Sequence, residues 1–350
     1  MTQSFAPPDM QRVNDALTRY RDPVIEGMRA ALDRPEIQHM RHMRYHLGFE
    51  DAEGRAIEAT GGKMLRPAVT LLACEAVGGD ASSAMPAAVA IELLHNFSLI
   101  HDDIEDRSEL RHGRPTLWTL VGVPQAINAG DGLFVIAQRT LLDLSLAGVP
   151  AERVLAAASM LNDACIALCE GQHDDLGFEA RERVSQAEYE AMIAGKTAAL
   201  LGAAAGIGAI AGVADDTTVA ALALTGIRLG MAFQIQDDVL GIWGEASETG
   251  KPASDDIRSR KKSFPIVYAF DHLDDDALAE LRRVYASPAS DTDVPDVLAL
   301  LDSVNARAAS TAQAEQWAAQ AIETLRPLEL DPERRAEIEA IAAFFVHRRA

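Results

Sequence analysis

Acidic residues stand at the ends of two apolar, helix-like stretches. The first, residues 92–106, reads E-L-L-H-N-F-S-L-I-H-D-D-I-E-D and places Asp102 and Asp106 four residues apart. Side chains at that spacing share one helix face with Cβ atoms about 5–6 Å apart, so two carboxylates there repel each other unless a cation lies between them. The second stretch, F-Q-I-Q-D-D-V-L-G, carries Asp237 and Asp238. We therefore expect carboxylates to face each other across a cavity.

Carboxylate oxygens are ligands that Mg²⁺ prefers, and this ion needs only a few of them when substrate phosphates and water complete its coordination. The candidate ligands are Asp102, Asp106 and Asp237. A solvated helix end would also carry acids, but polar residues would then lead up to them, whereas Leu94 and Ile100 are apolar. The sequence therefore favours a magnesium site.

Basic residues lie in the irregular segments that flank these acids. They are Lys63, Arg66, Arg111, Arg114, Lys196, Lys251, Lys261 and Lys262. The whole chain has 32 Lys and Arg against 53 Asp and Glu, a formal charge of −21, which disfavours nucleic acid and anionic membranes as partners. A locally positive mouth in so acidic a chain predicts a diphosphate substrate, and the Ala- and Leu-rich helices below it predict a pocket for a hydrocarbon tail.

The composition predicts an all-α fold, because aromatic residues make up 5% of the 350 residues and strand-like runs are nearly absent. We expect one domain over residues 1–350, with the motifs in residues 55–270 and further helices in residues 271–350. No stretch has the length or composition of an interdomain linker. The three cysteines are too few for a disulfide framework, and Cys165 and Cys169 are expected to be small core residues.

Several local expectations follow from glycine and proline. Asp22-Pro23 is expected to begin a helix, Gly171 to end or bend the helix of residues 152–170, and residues 107–116 to form a loop. Residues 198–214 predict a buried helix packed through small side chains and too short for a membrane span. The N terminus lacks the pattern of a signal peptide, so we expect a cytoplasmic location.

Six motifs occur in order along the chain: G-G-K-M-L-R-P, H-N-F-S-L-I-H-D-D-I-E-D, R-H-G-R-P-T, G-K-T, F-Q-I-Q-D-D-V-L-G and T-G-K-P…D-I-R-S-R-K-K-S. Together they resemble the trans-isoprenyl diphosphate synthases of the polyprenyl synthetase family, over roughly residues 55–270. The resemblance implies an isoprenoid-synthase-type helical bundle, commonly a homodimer. It also implies Mg²⁺-dependent condensation of isopentenyl diphosphate with an allylic diphosphate.

The same resemblance implies roles for individual side chains. Asp102, Asp106 and Asp237 would hold Mg²⁺ against the allylic diphosphate. The remaining roles are contact with that diphosphate (Arg111, Lys196, Lys251, Lys261), lining of the reacting carbons (Thr197, Gln234) and binding of isopentenyl diphosphate (Lys63, Arg66, His95). His95 also lies seven residues before Asp102, two turns away on nearly the same face. Gln172 and Asp175 resemble a polar group near the metals, with a helix end as the other explanation.

The chain departs from the family pattern at three positions. His112 stands where an arginine usually contacts isopentenyl diphosphate, Met64 replaces a frequent basic residue, and Gly241 replaces an acid of the second motif. A weakened isopentenyl site leaves open a terpene synthase that ionises and cyclises one prenyl diphosphate. A non-catalytic partner subunit is a third hypothesis, although such a chain is expected to lose acids of the first motif.

Product length depends on the depth of the hydrocarbon pocket. By resemblance, the gate positions lie five and four residues before the first aspartate, at Phe97 and Ser98. A helical wheel places Ser98 more directly beneath Asp102, so the gating role of Phe97 rests on the resemblance. Bulk at Phe97 with a small Ser98 resembles the short-chain enzymes that make C20 geranylgeranyl diphosphate, with C15 next.

Overall fold

The computed structural model describes residues 7–34, 37–57, 64–244, 254–287 and 290–348, and these residues are almost wholly helical. Lys63 and Lys251 lie outside the described residues. The helices are α1 (Met10–Ala31), α2 (Met40–His46), α3 (Leu65–Ala76), α4 (Ala81–Glu105), α5 (Leu117–Val121), α6 (Val123–Leu142), α7 (Ala151–Glu179), α8 (Gln186–Ile193), α9 (Ala199–Ala211), α10 (Asp216–Trp243), α11 (Asp255–Arg258), α12 (Phe264–His272), α13 (Asp275–Tyr285), α14 (Val294–Ser303), α15 (Ala306–Leu325) and α16 (Pro332–His347). The predicted all-α fold is confirmed.

Short helical turns and one small hairpin complete the description. A π-helical turn, Ala194–Ala198, joins α8 to α9, and 3₁₀ turns cover Asp143–Ser145 and Asp291–Asp293. Strands β1 (Leu110–Arg111) and β2 (Arg114–Pro115) form a small antiparallel hairpin after α4.

Side chains of the expected types begin the site-bearing helices. Asp80 accepts a hydrogen bond from the backbone N–H of Ser82 at the start of α4, and Ser185 forms a reciprocal capping box with Glu188 at the start of α8. These bonds satisfy backbone donors that the first helical turn leaves unpaired. Long apolar helices therefore begin at defined positions, which sets where their acidic ends lie.

Helix α9 is buried along residues 200–211 and packs against α3, α4, α7 and α10. Small residues allow this close packing, as predicted. A Cβ added at Gly208 would lie 2.1 Å from the carbonyl oxygen of Thr70 on α3, which is far inside van der Waals contact. The acid-bearing helices α4 and α10 thus both pack against one buried helix.

Within the part of the chain that the structure describes, four helical stretches are long and apolar enough to cross a membrane by length and composition alone: Ala81–Glu105, Ala151–Glu179, Gln186–Ala211 and Asp216–Trp243. The apolar run at 198–214 thus belongs to a longer helical stretch than its sequence suggested. Within Gln186–Ala211, 78% of the apolar window is buried by the rest of the molecule, against 39% within Ala151–Glu179. Packing inside the bundle accounts for the first value, and the absence of a membrane span stays a prediction.

Three local predictions were wrong. Cys169 was expected in the core with Cys165, but Cys169 is exposed, whereas Cys165 is buried. Pro23 lies inside α1 instead of beginning a helix, because Val13, Tyr20 and Met28 bury one apolar face on both sides of it and this burial outweighs one lost backbone hydrogen bond. Gly171 neither ends nor interrupts α7, which runs through it to Glu179. Its role is close packing, described below.

Candidate active site

A cavity of about 470 Å³ opens between α4, α7, α8, α9 and α10. It collects most of the residues that the sequence singled out: Arg66, His95, Ser98, Asp102, Asp106, Arg111, His112, Lys196, Thr197, Gln234, Asp237 and Lys261. Arg114 and Lys262, from the same basic group, do not line it. The expected convergence of acids, cations and an apolar floor therefore occurs at one place.

The first acidic motif occupies the C-terminal end of α4. Asp102 is half-buried, and its burial raises the pKa of the carboxyl group to about 6, an effect that Lys196 and Arg111 oppose and Asp106 reinforces. Asp106 caps the helix and is exposed at the cavity mouth. A carboxylate that loses solvation without an ion-pair partner is a ready ligand for a cation.

In the second acidic motif the two neighbouring aspartates have different environments. Asp238 is 1% exposed, and it accepts hydrogen bonds from the Tyr189 hydroxyl, the Gln234 amide and the backbone N–H of Phe264. Asp238 therefore ties α10 to α8 and α12. Asp237 is about half exposed, which leaves it as the available carboxylate on this side of the cavity.

A residue that the sequence did not indicate lies against this second motif. Arg348, the last described residue, places Nη2 2.7 Å from Asp237 Oδ1 and stacks its guanidinium 3.9 Å from the centre of the Phe233 ring. Tyr189 was missed as well. Neither carries a local signal, because each meets its partner across a long sequence separation, 111 residues for Arg348 and 49 for Tyr189.

The donor set suits Mg²⁺, although no three acidic, histidine or cysteine side chains among the described residues converge tightly enough to enclose a metal ion. The two motifs instead face each other across the cavity. Mg²⁺ is commonly held by one or two carboxylates together with substrate phosphates and water, so an open arrangement of oxygen ligands fits that ion.

The G-K-T motif forms the π-helical turn Ala194–Ala198, an irregularity that is common at functional sites. Lys196 Nζ lies 2.5 Å from Asp175 Oδ2, and Thr197 donates a hydrogen bond of 2.8 Å to Gln234 Oε1. Gln172, on the same side, donates to Glu105 at 2.7 Å. The turn thereby directs the Lys196 ammonium group and the Thr197 hydroxyl into the cavity.

Gly171 explains how α7 can approach this turn so closely. A Cβ at Gly171 would lie 2.2 Å from the Lys196 backbone nitrogen and 2.7 Å from the Met192 carbonyl oxygen. Any side chain there would displace backbone, because such contacts are shorter than atoms tolerate. The position therefore fixes the turn that carries Lys196 and Thr197.

The hairpin after α4 places Arg111. Its Nε and Nη2 lie 3.0 and 2.8 Å from Asp103 Oδ1, and Asp103 is 2% exposed. His112 and Gly113 both have positive φ, which is the geometry of a tight hairpin turn and one that histidine tolerates less readily than glycine. Arg111 and His112 both border the large cavity and the smaller one next to it.

This smaller cavity, of about 130 Å³, adjoins the first between α4, α2 and the hairpin. His95 lines both cavities, and burial lowers its pKa well below the usual value, so the imidazole is neutral and has one N–H to donate. The Nε of Arg66 is buried without a hydrogen-bond partner among the described residues. A buried guanidinium N–H without an acceptor favours an anionic ligand beside it.

The floor of the large cavity is apolar. Ser98, Leu168, Leu200 and Phe233 line it, which agrees with the helical-wheel position of Ser98 beneath Asp102. Phe97 lies outside the lining, with its ring centre 5.4 Å from that of Phe134 on α6. Its gating role stays a prediction from resemblance.

Comparison with known sequences identifies relatives of this chain. A family model described as polyprenyl synthetase matches residues 53–301. The chain is 37% identical to the (2E,6E)-farnesyl diphosphate synthase of Mycobacterium tuberculosis H37Rv, over 96% of this chain and 96% of that protein. It is 42% identical to the geranylgeranyl diphosphate synthase of the same strain, over 71% of this chain and 69% of that protein.

Solved structures agree with the sequence matches. The polyprenyl synthetase of Streptomyces coelicolor A3(2) superimposes with a TM-score of 0.89 at 37% identity, covering 95% of this chain and 99% of that one. A geranylgeranyl pyrophosphate synthase of Corynebacterium glutamicum, in complex with isoprenyl diphosphate and magnesium, gives a TM-score of 0.77 at 25% identity, covering 96% and 97%. The chain belongs to the polyprenyl synthetase family of prenyltransferases.

Proposed function

We propose that this protein condenses isopentenyl diphosphate with an allylic diphosphate to give a short-chain all-trans prenyl diphosphate, with C20 as the main product and C15 next. The observation that carries the proposal is one cavity with carboxylates of α4 and α10 at its mouth, cations beside them and an apolar floor. Related enzymes with both product lengths support the short-chain class.

In the proposed reaction the allylic diphosphate lies between Asp102 and Asp106 on one side and Asp237 on the other. Mg²⁺ bound there would stabilise the charge that develops on the diphosphate leaving group. Lys196 and Arg111 donate hydrogen bonds to the diphosphate oxygens. The allylic C–O bond breaks, and its electron pair leaves with the diphosphate.

Thr197 and Gln234 then face the resulting cation. The Gln234 amide donates to Asp238 and its carbonyl oxygen accepts from Thr197, so both oxygens have fixed positions before the charge forms. The isopentenyl double bond attacks the cation and forms the new C–C bond. The departed diphosphate then takes a proton from a carbon next to the new cationic centre. The electron pair of that C–H bond forms the new double bond.

The smaller cavity supports a site for isopentenyl diphosphate. His95 and His112 border it, and Arg66 lines the large cavity next to it, where its Nε, without a partner among the described residues, supplies a donor for an anionic oxygen. His112 can donate one hydrogen bond where an arginine would donate two. We therefore expect a higher KM for isopentenyl diphosphate than in an enzyme with arginine at this position. The alternative of a cyclase needs no such second site.

Incubation with Mg²⁺, labelled isopentenyl diphosphate and an allylic diphosphate tests the proposal. We expect labelled prenyl diphosphate, identified as the C20 alcohol after hydrolysis by phosphatase. Formation of hydrocarbon or cyclic alcohol from geranylgeranyl diphosphate alone would establish the cyclase instead. Absence of turnover with either mixture would support a non-catalytic subunit.

Product length is expected to respond to two neighbouring positions of α4 in opposite ways. Ser98→Phe fills the cavity floor and should shorten the product by at least one isoprene unit, because one helical turn of about 5.4 Å is comparable to one extended unit. Phe97→Ala removes bulk and should lengthen it by one unit. Chromatography of the hydrolysed products measures both, and unchanged lengths in Phe97→Ala would refute the gate at that position.

We also propose a homodimer in the cytoplasm. Large apolar side chains are exposed on α6 and α7, with exposed fractions of 62% at Val135, 66% at Ile166 and 69% at Leu155. Gln138 on α6 donates to Asn162 on α7, so these outer faces adjoin and form one patch. A contiguous exposed apolar surface of this kind is typical of a subunit interface.

Light scattering after size-exclusion chromatography tests the dimer. The double variant Val135→Glu/Ile166→Glu is expected to shift the mass from dimer to monomer, since two carboxylates would be buried without partners at the interface. Val213→Glu is the matched control, because Val213 is 60% exposed in a different region and should leave the dimer intact. A dimer that persists in the double variant would contradict the assigned face.

A further inference from the structure

A third cavity faces outward and lies beside the segment that carries Lys261. Its volume is about 560 Å³, and it is formed by the C-terminal end of α7, the loop after it, the start of α12 and the end of α13. The lining residues are Glu179, Ala180, Arg181, Glu182, Lys262, Arg282, Arg283, Tyr285 and Ala286. Four cationic and two acidic side chains give this lining an excess of positive charge in a chain of charge −21.

Lys262 gives the cavity its chemical character. The residue is 6% exposed, and its Nζ lies 4.9 Å from the centre of the Tyr285 ring without an ion pair to a carboxylate among the described residues. Burial lowers its pKa, although Glu179 opposes that effect. A buried ammonium group without an anion is costly, and an anion bound in the cavity would relieve that cost.

Further hydrogen-bond donors surround this lysine. The Tyr285 hydroxyl is buried without a partner among the described residues, and burial raises its pKa, so it keeps its proton. Among the described residues, Arg282 and Arg283 pair with exposed carboxylates, Arg282 at 3.2 Å from Glu182. Exposed ion pairs are weak and are readily exchanged for a ligand with higher charge density.

We propose that this outer cavity binds a diphosphate-sized anion at a site separate from the catalytic cavity, with Lys262 and Arg282 as its main contacts. Two neighbouring lysines show that the outer cavity and the catalytic cavity are separate. Lys261 lies 3.7 Å from Asp238 in the catalytic cavity, whereas Lys262 lines the outer one, so two successive lysines serve two cavities. The sequence had grouped both with the catalytic mouth.

Isothermal titration with inorganic diphosphate in Mg²⁺-free buffer with EDTA tests the site. Without metal ions the catalytic carboxylates repel the anion, and binding that persists in Arg66→Gln, which weakens the site for isopentenyl diphosphate, reports on the outer cavity. We expect binding to the wild type, weakened at least about fivefold by Lys262→Met and by Arg282→Gln. Inorganic phosphate should bind more weakly, since it spans fewer of the donors.

Two controls complete the experiment. Arg326→Gln, an exposed arginine paired with Glu323 on α15, should leave the affinity unchanged, as should Arg111→Gln in the catalytic cavity. Absence of binding to the wild type, or binding that Arg111→Gln removes and Arg282→Gln does not, would overturn the proposal. If Lys262→Met does not fold, as judged by circular dichroism, the exposed Arg282→Gln variant decides the outcome.

Discussion

Asp102→Asn is expected to reduce Mg²⁺-dependent turnover by at least about 10³-fold while stabilising the metal-free protein. The loss follows from removal of a charged metal ligand. The gain in stability follows from burial, which raises the pKa of the Asp102 carboxyl group to about 6. Between about pH 4 and pH 6 the folded protein therefore keeps a proton on Asp102 that the unfolded chain has released. The contribution of Asp102 to the stability of the metal-free wild type therefore falls as the pH rises from about 4 to about 6 and stays lower above that range.

Thermal unfolding with EDTA at several pH values measures the second effect. At pH 7 to 8 we expect Asp102→Asn to gain about 1 kcal/mol, or roughly 2 °C in Tm, after allowance for the partial solvent access of the side chain. Asp163→Asn, an exposed carboxylate on α7, is the matched control and should change neither property. Near-normal turnover in Asp102→Asn would refute the metal role.

Gly171→Ala is expected to lower the free energy of unfolding by about 2–4 kcal/mol, because the new methyl group meets backbone atoms at 2.2 and 2.7 Å. Relief requires α7 and the π-helical turn to separate. Lys196 and Thr197 would then move relative to the bound diphosphate, and we expect kcat to fall at least tenfold even in the folded fraction.

The control lies six residues further along the same helix. A Cβ at Gly177 has no heavy atom within 4 Å, so Gly177→Ala should raise stability by up to about 1 kcal/mol through helix propensity alone. Denaturant titration and steady-state kinetics on both variants measure the contrast. Equal effects of the two substitutions would show that the close contact at Gly171 is unimportant.

The sequence was sufficient for the helical fold and for most of the cavity lining. Apolar helices ending in acids are a local pattern, and Asp102, Asp106 and Asp237 indeed lie at one cavity mouth. The π-helical geometry of Lys196 and Thr197 was not predictable, because it depends on Gly171 from another helix. Gly171 itself was misinterpreted, since glycine in a sequence has the same appearance whether it ends a helix or permits a close contact.

Adjacent residues with the same side-chain chemistry also proved hard to separate. Asp237 is accessible from the cavity, whereas the buried Asp238 accepts three hydrogen bonds, from Tyr189, Gln234 and Phe264. Lys261 and Lys262 face different cavities. Tertiary contacts make these distinctions, and neighbouring letters in a sequence do not record them.

The ion pair between Arg348 and Asp237 has a thermodynamic consequence for metal binding. The Arg348 guanidinium group and a metal ion compete for the Asp237 carboxylate. The apparent affinity of Asp237 for a metal ion therefore includes the free energy needed to break its ion pair with Arg348. By linkage, metal and diphosphate together should loosen Arg348, and removal of its positive charge should tighten metal binding. Arg348 thus acts as an internal competitor that an incoming substrate must displace.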